Sequence, residues 1–404
     1  MDKLEWFKQA KFGLFIHWGI YSILERGEWV MYRERISPQE YAKYAEKFNP
    51  RNFNMDSFCS FAAECGMKYA VLTTCHHEGF AMFDSKADSF NSMNAPCHRD
   101  FVAEFTESCR KYGLRIGLYY SLGDWRFGIM KESDSAEKAA AMRDLTYAQV
   151  RELMSNYGKI DILWYDGGWC YPSTWTDTAA DVAKFWRANE LNAMVRYLQP
   201  DIIINNRYGT PEEFSTPEGC ITRPQPGVFA ESCFTLGDNE NSHWGFFRNE
   251  SLKKSDAELM KLTVSAICND HNLLVNVGPD KDGIIPEWQK EQLLKRGKWL
   301  KRYNEAAFHA HRTDVSRDIN GSSGNEFCDI AENDEAVFCY FRNYPAKETF
   351  IPFMKTEIEK AVLLHSDAVI TCTRKDNGCL LSGFPETAPD PLCSIVKLIK
   401  RKGK

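Results

Sequence analysis

The sequence lacks the features that would direct it to a membrane or to nucleic acid. No apolar run approaches the length of a membrane span, and the N-terminal residues are charged rather than continuously apolar. Lys and Arg number 50 against 56 Asp and Glu, a net charge of −6, and the basic run at 397–404 is typical of a solvated tail. We therefore expect a soluble protein with neither a membrane nor a nucleic acid as partner.

Cysteine pairs and nucleotide-binding loops are missing as well. The 14 cysteines include no CxxC pair, which favours reduced, largely buried thiols over a disulfide framework. A cytoplasmic location is the expectation, and a removed signal peptide is the alternative that the sequence leaves open. The segment 117–123 lacks the GxGxxG spacing, and no Walker-type Gly-Lys-Ser/Thr occurs. We expect no cofactor.

A repeated pattern indicates the fold. Three segments each contain a helical stretch closed by glycine and followed at once by an apolar strand. The closing glycines, Gly66, Gly113 and Gly158, are 47 and 45 residues apart, which suits successive helix-plus-strand units. Further helices are predicted over about 55–65, 99–112, 135–157 and 179–198, each before a strand. This alternation predicts an α/β fold with a (β/α)8-like TIM barrel.

The hydrophobic pattern of the sequence changes near residue 312. With 404 residues, 44% of them hydrophobic, the chain can form one large domain and a small one. We expect a catalytic barrel domain over 1–312 and a small C-terminal β-sandwich domain over 313–404, where short alternating runs are separated by turn residues. Between 209 and 261 the pattern loosens, and the sixth and seventh strands are not located.

Asp166 ends an apolar run, 159–169, that otherwise is typical of a buried strand. Burying an ionised carboxylate is costly, so this residue must be paired or chemically active. Polar groups follow the neighbouring strands too, namely His76 and His77, Tyr120, and 205–207. The carboxyl ends of barrel strands converge on one mouth, so these groups are expected to share one pocket.

The adjacent histidines could suggest a metal site. However, neighbouring residues of a strand point to opposite faces, so His76 and His77 are not expected to bind one ion. They would serve as neutral hydrogen-bond partners of hydroxyl groups, and one of them could be a core histidine. We expect no metal.

Aromatic residues make a sugar the favoured ligand. Six tryptophans fall at predicted strand ends or mouth loops, together with histidines, an arginine and carboxylates: Trp18, Trp29, Trp125, Trp164, Trp169 and Trp244. Aromatic rings pack on the apolar faces of sugars, and the polar groups bind hydroxyls. Hydrolysis of a glycosidic bond normally needs two carboxylates. Asp166 is the first, and spacing alone does not choose between Glu218 and Glu231 for the second.

At these residues the chain resembles the α-L-fucosidases of glycoside hydrolase family 29. The matching motifs run in order along nearly the whole catalytic part: WFKQAKFGLFIHWG at 6–19, GEW at 27–29, HHEGF at 76–80, YYS at 119–121, LWYDG at 163–167, NR at 206–207, FSTPE at 214–218, WGF at 244–246, NLLVNVGP at 272–279 and GKWL at 297–300. The resemblance implies a (β/α)8-like catalytic domain, a C-terminal β-sandwich and no metal. It further implies retaining exo-hydrolysis of terminal α-L-fucose from fucosylated glycans.

The resemblance also assigns roles to residues. It makes Asp166 the nucleophile and Glu218 the acid/base, with Glu231 second because the family's acid/base lies on a variable loop. The implied fucose contacts are His17, Glu28, Trp29, His76, His77, Tyr120, Trp164, Arg207 and Trp244. The alternatives are a related retaining glycosidase with another terminal sugar and an inactive sugar-binding relative. The sequence leaves the linkage, the leaving group and the oligomeric state open.

The chain departs from the family pattern at two motifs. Cys75 and Glu78 stand where the family usually has Lys and Asp, and Asp270 and His271 stand where it has two glycines. Neither change touches Asp166, so we expect altered substrate preference rather than lost activity.

Overall fold

The computed structural model describes residues 3–51, 53–128, 135–169, 178–222, 227–237, 243–249, 253–313, 328–352 and 354–401. Its helices are α1 (Glu5–Ala10), α2 (Val30–Arg33), α3 (Pro38–Ala42), α4 (Met55–Glu64), α5 (Phe101–Lys111), α6 (Ala136–Asn156), α7 (Ala179–Trp186), α8 (Ala188–Leu198), α9 (Asp256–Cys268), α10 (Glu287–Arg302) and α11 (Asn304–Phe308). Short 3-10 turns occupy Ile20–Ile23, Ala45–Lys47 and Trp125–Phe127. In the described part of the chain no helix is both long enough and apolar enough to cross a bilayer.

Eight parallel strands form the first sheet. They are β1 (Phe12–Ile16), β2 (Tyr69–Cys75), β3 (Arg115–Ser121), β4 (Ile162–Asp166), β5 (Ile203–Ile204), β6 (Phe214–Ser215), β7 (Phe229–Phe234) and β8 (His271–Val277). Their order is β5-β4-β3-β2-β1-β8-β7-β6, and a parallel bridge between Asn205 and Phe214 joins the two edges. The predicted (β/α)8 barrel is therefore confirmed. The sixth and seventh strands, which the sequence did not locate, are the short β6 and the longer β7.

Three glycines end helices at the positions that the sequence predicted. Gly66, Gly113 and Gly158 have φ of 79°, 68° and 70°, the left-handed conformation that ends a helix before the next strand. The helix predicted over 179–198 is instead two helices, because Arg187 between them adopts φ 48°.

The barrel interior is filled by side chains from alternate strand positions. Tyr69, Tyr119 and Trp164 belong to this inner cluster, and Phe7 of α1 packs into it from the amino end of the strands. A separate, larger cluster lies between the strands and the surrounding helices. Because side chains fill the barrel interior, a ligand is expected at the carboxyl ends of the strands.

The second sheet is antiparallel. Its strands are β9 (His311–Arg312), β10 (Asp329–Glu332), β11 (Ala336–Phe341), β12 (Glu348–Pro352), β13 (Ile358–Leu363), β14 (Val369–Lys375), β15 (Gly378–Ser382) and β16 (Ser394–Lys400), in the order β12-β15-β14-β13-β16-β11-β10-β9. Ile351 of β12 and Ile330 of β10, from opposite ends of this order, share one buried core, as in a sandwich. The sheet begins with β9, so its first strand precedes the domain boundary predicted at 312.

Candidate active site

A cavity of ≈ 200 Å³ lies at the carboxyl ends of the barrel strands. Its lining includes most of the residues expected from the sequence: His17, Trp29, His76, His77, Trp164, Asp166, Arg207, Glu218 and Trp244. The volume is below the roughly 300–1,000 Å³ of typical ligand pockets, so it suits one small ring better than an extended chain.

Asp166 has a partner for each carboxylate oxygen. The Tyr119 hydroxyl donates to Oδ2 over 2.9 Å, and Nη1 of Arg207 donates to Oδ1 over 3.2 Å. Nε2 of His77 lies 3.7 Å from Oδ2. Burial alone would raise the pKa of Asp166, but the Arg207 guanidinium, His77 and donated hydrogen bonds outweigh it and lower the pKa to about 2. The carboxylate is ionised at neutral pH.

Arg207 joins the two candidate carboxylates. While Nη1 donates to Asp166, Nη2 donates to Oε2 of Glu218 over 2.8 Å. Nε donates to the Thr216 hydroxyl over 2.8 Å, and the guanidinium lies over the Trp164 ring, with Cζ 4.7 Å from its centroid. One fixed guanidinium thus sets the distance and direction between Asp166 and Glu218.

Glu218 and Glu231 lie in different surroundings. The Glu218 side chain is 47% exposed and reaches the cavity from a loop bridged to Cys233 of β7. Glu231 is completely buried, does not line the cavity, and accepts hydrogen bonds from Tyr69 and from Nε1 of Trp164. These surroundings favour Glu218 over Glu231 as the acid/base, because Glu218 lines the cavity and both Glu231 oxygens are engaged by buried protein donors.

The cavity histidines are neutral hydrogen-bonding groups. Nδ1 of His17 pairs with Oδ1 of Asn276 at 2.7 Å, and Nδ1 of His77 pairs with the Ser121 hydroxyl at 2.7 Å. Burial lowers the pKa of His17 well below its ordinary value, that of His76 to about 4 and that of His77 to about 3. Each ring can therefore offer its remaining nitrogen to a hydroxyl group without carrying charge.

The expectation that His76 and His77 diverge was wrong. Both line the cavity, with ring centroids 4.2 Å apart. Strand β2 ends at Cys75, and its pairing with β3 shifts register between Thr73 and Cys75, so the alternation of faces does not continue into the two histidines. No group of three or more metal-binding side chains forms a metal site within the described residues.

Tyr120 requires a correction. Its side chain points out of the barrel, and its hydroxyl donates to Oε1 of Gln149 over 2.7 Å. Tyr119 instead points inward, lines the cavity and bonds to Asp166. The missed signal is strand register: Tyr119 pairs with Trp164, so these two residues share the inner face.

Other expected residues lie behind the cavity wall. Glu28 is buried outside the lining and accepts a 2.8 Å hydrogen bond from the Gly245 amide, which holds the loop of Trp244. Trp18 stacks on Phe53 with centroids 4.2 Å apart. Trp125 is buried as well.

Two aromatic residues form the outer rim. The rings of Trp29 and Trp169 stack with centroids 5.7 Å apart and an interplanar angle of 18°. On another side, Trp244 lies 5.1 Å from the His17 ring. Aromatic faces beside neutral polar groups are the arrangement that binds a sugar ring.

A larger cavity of ≈ 660 Å³ lies elsewhere, where α10 approaches the second sheet. Its carboxylates are already paired with cations, Asp390 with Arg302 at 3.2 Å and Asp256 with Lys295 at 3.0 Å. It lacks the paired carboxylates and histidines of the barrel mouth, so the smaller cavity is the candidate active site.

Comparison with known proteins agrees with this geometry. Residues 2–305 match the family model "Alpha-L-fucosidase". The tissue α-L-fucosidase of Rattus norvegicus is 29% identical over 366 residues, covering 84% of this chain and 76% of that protein. The human plasma α-L-fucosidase is 30% identical over 337 residues, covering 76% and 69%.

Solved structures give the same result. Alpha-L-fucosidase isoenzyme 1 from Paenibacillus thiaminolyticus is 28% identical, with a TM-score of 0.86 and coverage of 99% of both chains. The Thermotoga maritima α-fucosidase in complex with a mechanism-based inhibitor is 26% identical, with a TM-score of 0.78 and coverage of 98% and 96%. The chain therefore belongs to the α-L-fucosidase family of glycoside hydrolases, family 29.

Proposed function

We propose that this protein is a retaining exo-α-L-fucosidase in which Asp166 is the nucleophile and Glu218 the general acid/base. The observation that supports these roles best is the Arg207 guanidinium, which bonds Asp166 at 3.2 Å and Glu218 at 2.8 Å beside one small cavity. Two carboxylates held within the span of one guanidinium favour the short separation of retaining enzymes, about 5 to 5.5 Å, over the wider one of inverting enzymes.

In the first step, Asp166 attacks the anomeric carbon as the bond to the leaving oxygen breaks. Glu218 gives its proton to that oxygen, and the sugar becomes a β-linked ester of Asp166. In the second step Glu218 takes a proton from water, the water oxygen attacks the same carbon, and Asp166 leaves as a carboxylate. Two inversions return the α configuration.

The surroundings of Asp166 suit the nucleophile. Its pKa of about 2 keeps it charged, and Arg207 and Tyr119 orient one oxygen each. Glu218, by contrast, is 47% exposed at the side where a leaving group and later a water molecule must arrive. An exposed acid and a buried nucleophile correspond to the two positions on either side of a terminal glycosidic bond.

The cavity supports a single terminal fucose as the substrate group. Neutral His17, His76 and His77 can bind the ring hydroxyls, and Trp244 offers an apolar face for a methyl group. A volume of ≈ 200 Å³ favours attack at the end of a glycan rather than within it. Cytoplasmic location stays a prediction.

Proton NMR of the first product tests this function. Freshly released fucose from nitrophenyl α-L-fucoside should be the α anomer before mutarotation, and fucosyl oligosaccharides should lose only terminal residues. First formation of the β anomer would contradict retention. A panel of other nitrophenyl glycosides provides the control, and faster release of another sugar would contradict the substrate assignment.

A further inference from the structure

Glu231 is a buried carboxylate that the proposed reaction does not use directly. It lies on β7, is 0% exposed, and has both oxygens engaged. Oε1 accepts a 2.9 Å hydrogen bond from the indole Nε1 of Trp164, and Oε2 accepts from the Tyr69 hydroxyl. Keeping a carboxylate fully inside a barrel is costly, so its presence beside the active-site tryptophan calls for a functional reason.

Trp164 contacts the two groups that hold the nucleophile. The Tyr119 ring stacks on it with centroids 5.7 Å apart and an interplanar angle of 22°, and the Arg207 guanidinium lies 4.7 Å above it. Tyr119 and Arg207 then donate to different oxygens of Asp166. A tilt of this one indole would therefore displace both partners of Asp166 together, and would also move the guanidinium that binds Glu218.

We propose that Glu231 is a positioning residue for the reaction, which fixes the Trp164 indole and thereby the Tyr119 and Arg207 groups that orient Asp166. This inference rests on the proposed function. Glu231 does not line the cavity and both of its oxygens accept hydrogen bonds from Trp164 and Tyr69, so we assign it no proton transfer to the substrate. Its acceptor oxygen fixes the angle of the indole plane, since a buried N–H that lost its acceptor would turn to find another.

Two substitutions separate the acceptor from the charge. Glu231→Gln keeps a side-chain oxygen for the Trp164 N–H, while its amide group can donate to the Tyr69 hydroxyl. Glu231→Leu has no acceptor. Because misplacement of catalytic groups by about 1 Å can lower rates roughly 10²-fold, we expect kcat to fall about 10²-fold in Glu231→Leu and less than about 10-fold in Glu231→Gln. Trp164 and Arg207 also line the cavity, but His17 and His77 are held by Asn276 and Ser121 and not by Glu231, so KM should change less than kcat.

The NMR signal of the Trp164 indole N–H tests the contact between Glu231 and Trp164 without an activity measurement. In a ¹⁵N spectrum, this resonance is identified by its loss in Trp164→Phe. It should exchange slowly with solvent in the unmodified protein and in Glu231→Gln, and should shift and exchange faster in Glu231→Leu. An unchanged signal in Glu231→Leu would overturn the inference. Asp161→Asn, which alters a buried carboxylate at the opposite end of β4, is the matched control and should leave the signal and kcat unchanged.

A double-mutant cycle tests whether the link matters to the reaction. If Glu231 acts through the Trp164 N–H, Trp164→Phe combined with Glu231→Leu should be no slower than the slower single variant. Losses that multiply, or azide restoring turnover to Glu231→Leu, would refute the positioning role. If Glu231→Leu does not fold, the link is tested in the Trp164→Phe variant. Adding Glu231→Gln to Trp164→Phe should lower kcat no further, and an additional loss would refute the inference.

The two proposals fail in different ways. If the unmodified protein released no fucose, the proposed function would be refuted, whereas the indole signal would still report on the contact between Glu231 and Trp164. A fully active protein whose Glu231→Leu variant keeps its kcat would refute the positioning role alone.

Discussion

Two buried carboxyl groups near Trp164, those of Asp166 and Glu231, have pKa values shifted in opposite directions. On the cavity side, Asp166 faces a guanidinium, and its pKa falls to about 2 despite burial. Glu231 lies outside the cavity lining, accepts hydrogen bonds from the neutral donors Tyr69 and Trp164, and has its pKa raised by burial to about 7. Arg207 lowers the pKa of both carboxyl groups, but it donates a hydrogen bond to Asp166, and this contact together with His77 and the other donors outweighs burial there.

Carboxylates that line the cavity also differ in their contacts from carboxylates that lie outside it. Asp166 and Glu218 share Arg207 and line the cavity, whereas Glu231 contacts only protein groups. A third case lies at the other end of β4: Asp161 binds the Ile116 amide at 2.9 Å and Arg115 at 2.9 Å, far from the mouth. In a barrel of this type, reactive groups belong at the carboxyl ends of the strands and stabilising groups at the amino ends.

The largest expected effect is at Asp166. Replacing it with Asn should lower kcat on every fucoside by roughly 10⁴-fold or more, because no other group attacks the anomeric carbon. Asp161→Asn should keep kcat and lower the free energy of unfolding by about 1 to 3 kcal/mol. Steady-state kinetics and denaturant unfolding of the two variants would measure this contrast. Near-normal turnover by Asp166→Asn would show that Asp166 is not the nucleophile.

Glu218 should give the next largest effect. Glu218→Ala should slow cleavage of fucosyl oligosaccharides by about 10² to 10⁴-fold, with a smaller effect on formation of the fucosyl-enzyme from nitrophenyl fucoside, whose leaving group needs little protonation. Azide needs no deprotonation, so it should restore turnover and yield α-fucosyl azide. If azide instead rescued Glu231→Ala and left Glu218→Ala unchanged, the assignment of acid/base would be wrong.

The raised pKa of Glu231 predicts a pH-dependent stability. Between its ordinary pKa of 4.5 and about 7, the folded protein keeps a proton that the unfolded chain has released, so the free energy of unfolding falls as pH rises through this window. At 1.36 kcal/mol per pKa unit, the fall is about 3 kcal/mol. Glu231→Gln lacks this titration. As pH rises through this window, the free energy of unfolding of Glu231→Gln minus that of the unmodified protein should therefore increase by the same about 3 kcal/mol. Parallel stability curves from pH 4 to 8 would contradict the account.

The smallest expected effect distinguishes two adjacent tyrosines. Tyr119→Phe removes the 2.9 Å bond to Asp166 and should lower kcat about 10-fold. Tyr120→Phe leaves the buried Gln149 oxygen without its donor, so it should lower the free energy of unfolding by about 1 kcal/mol and keep kcat. Equal losses of kcat in both variants would show that the inward and outward faces of β3 are not functionally distinct.

The sequence predicted the features that follow from local patterns. Glycine after each helix marked the barrel units, and an acidic residue at the end of a buried strand marked Asp166. The residues also offered Glu218, Glu231 and the segment 205–207 as candidates, and the family resemblance favoured Glu218 as the acid/base and made Arg207 a substrate contact. These signals lie within a few residues of chain, so they need no knowledge of how the strands meet.

What the sequence could not give depends on three-dimensional register. Whether Tyr119 or Tyr120 faces inward depends on the pairing of β3 with β4, and the common orientation of His76 and His77 depends on where β2 ends. Glu218 and Glu231 lie near each other along the chain, but Glu218 reaches the cavity from a loop, whereas Glu231 is buried on β7. Strand pairing, the exact end of a strand and burial decide these cases, and a linear pattern does not contain them.

Covalent labelling would identify the nucleophile of the reaction. A 2-fluoro-fucosyl reagent slows the second step, so the sugar should remain attached to the nucleophile and be located by peptide mass spectrometry. We expect one label, at Asp166, in the unmodified protein and in Glu218→Ala. A label at Glu218 or Glu231, or none in a protein that releases fucose, would contradict this expectation.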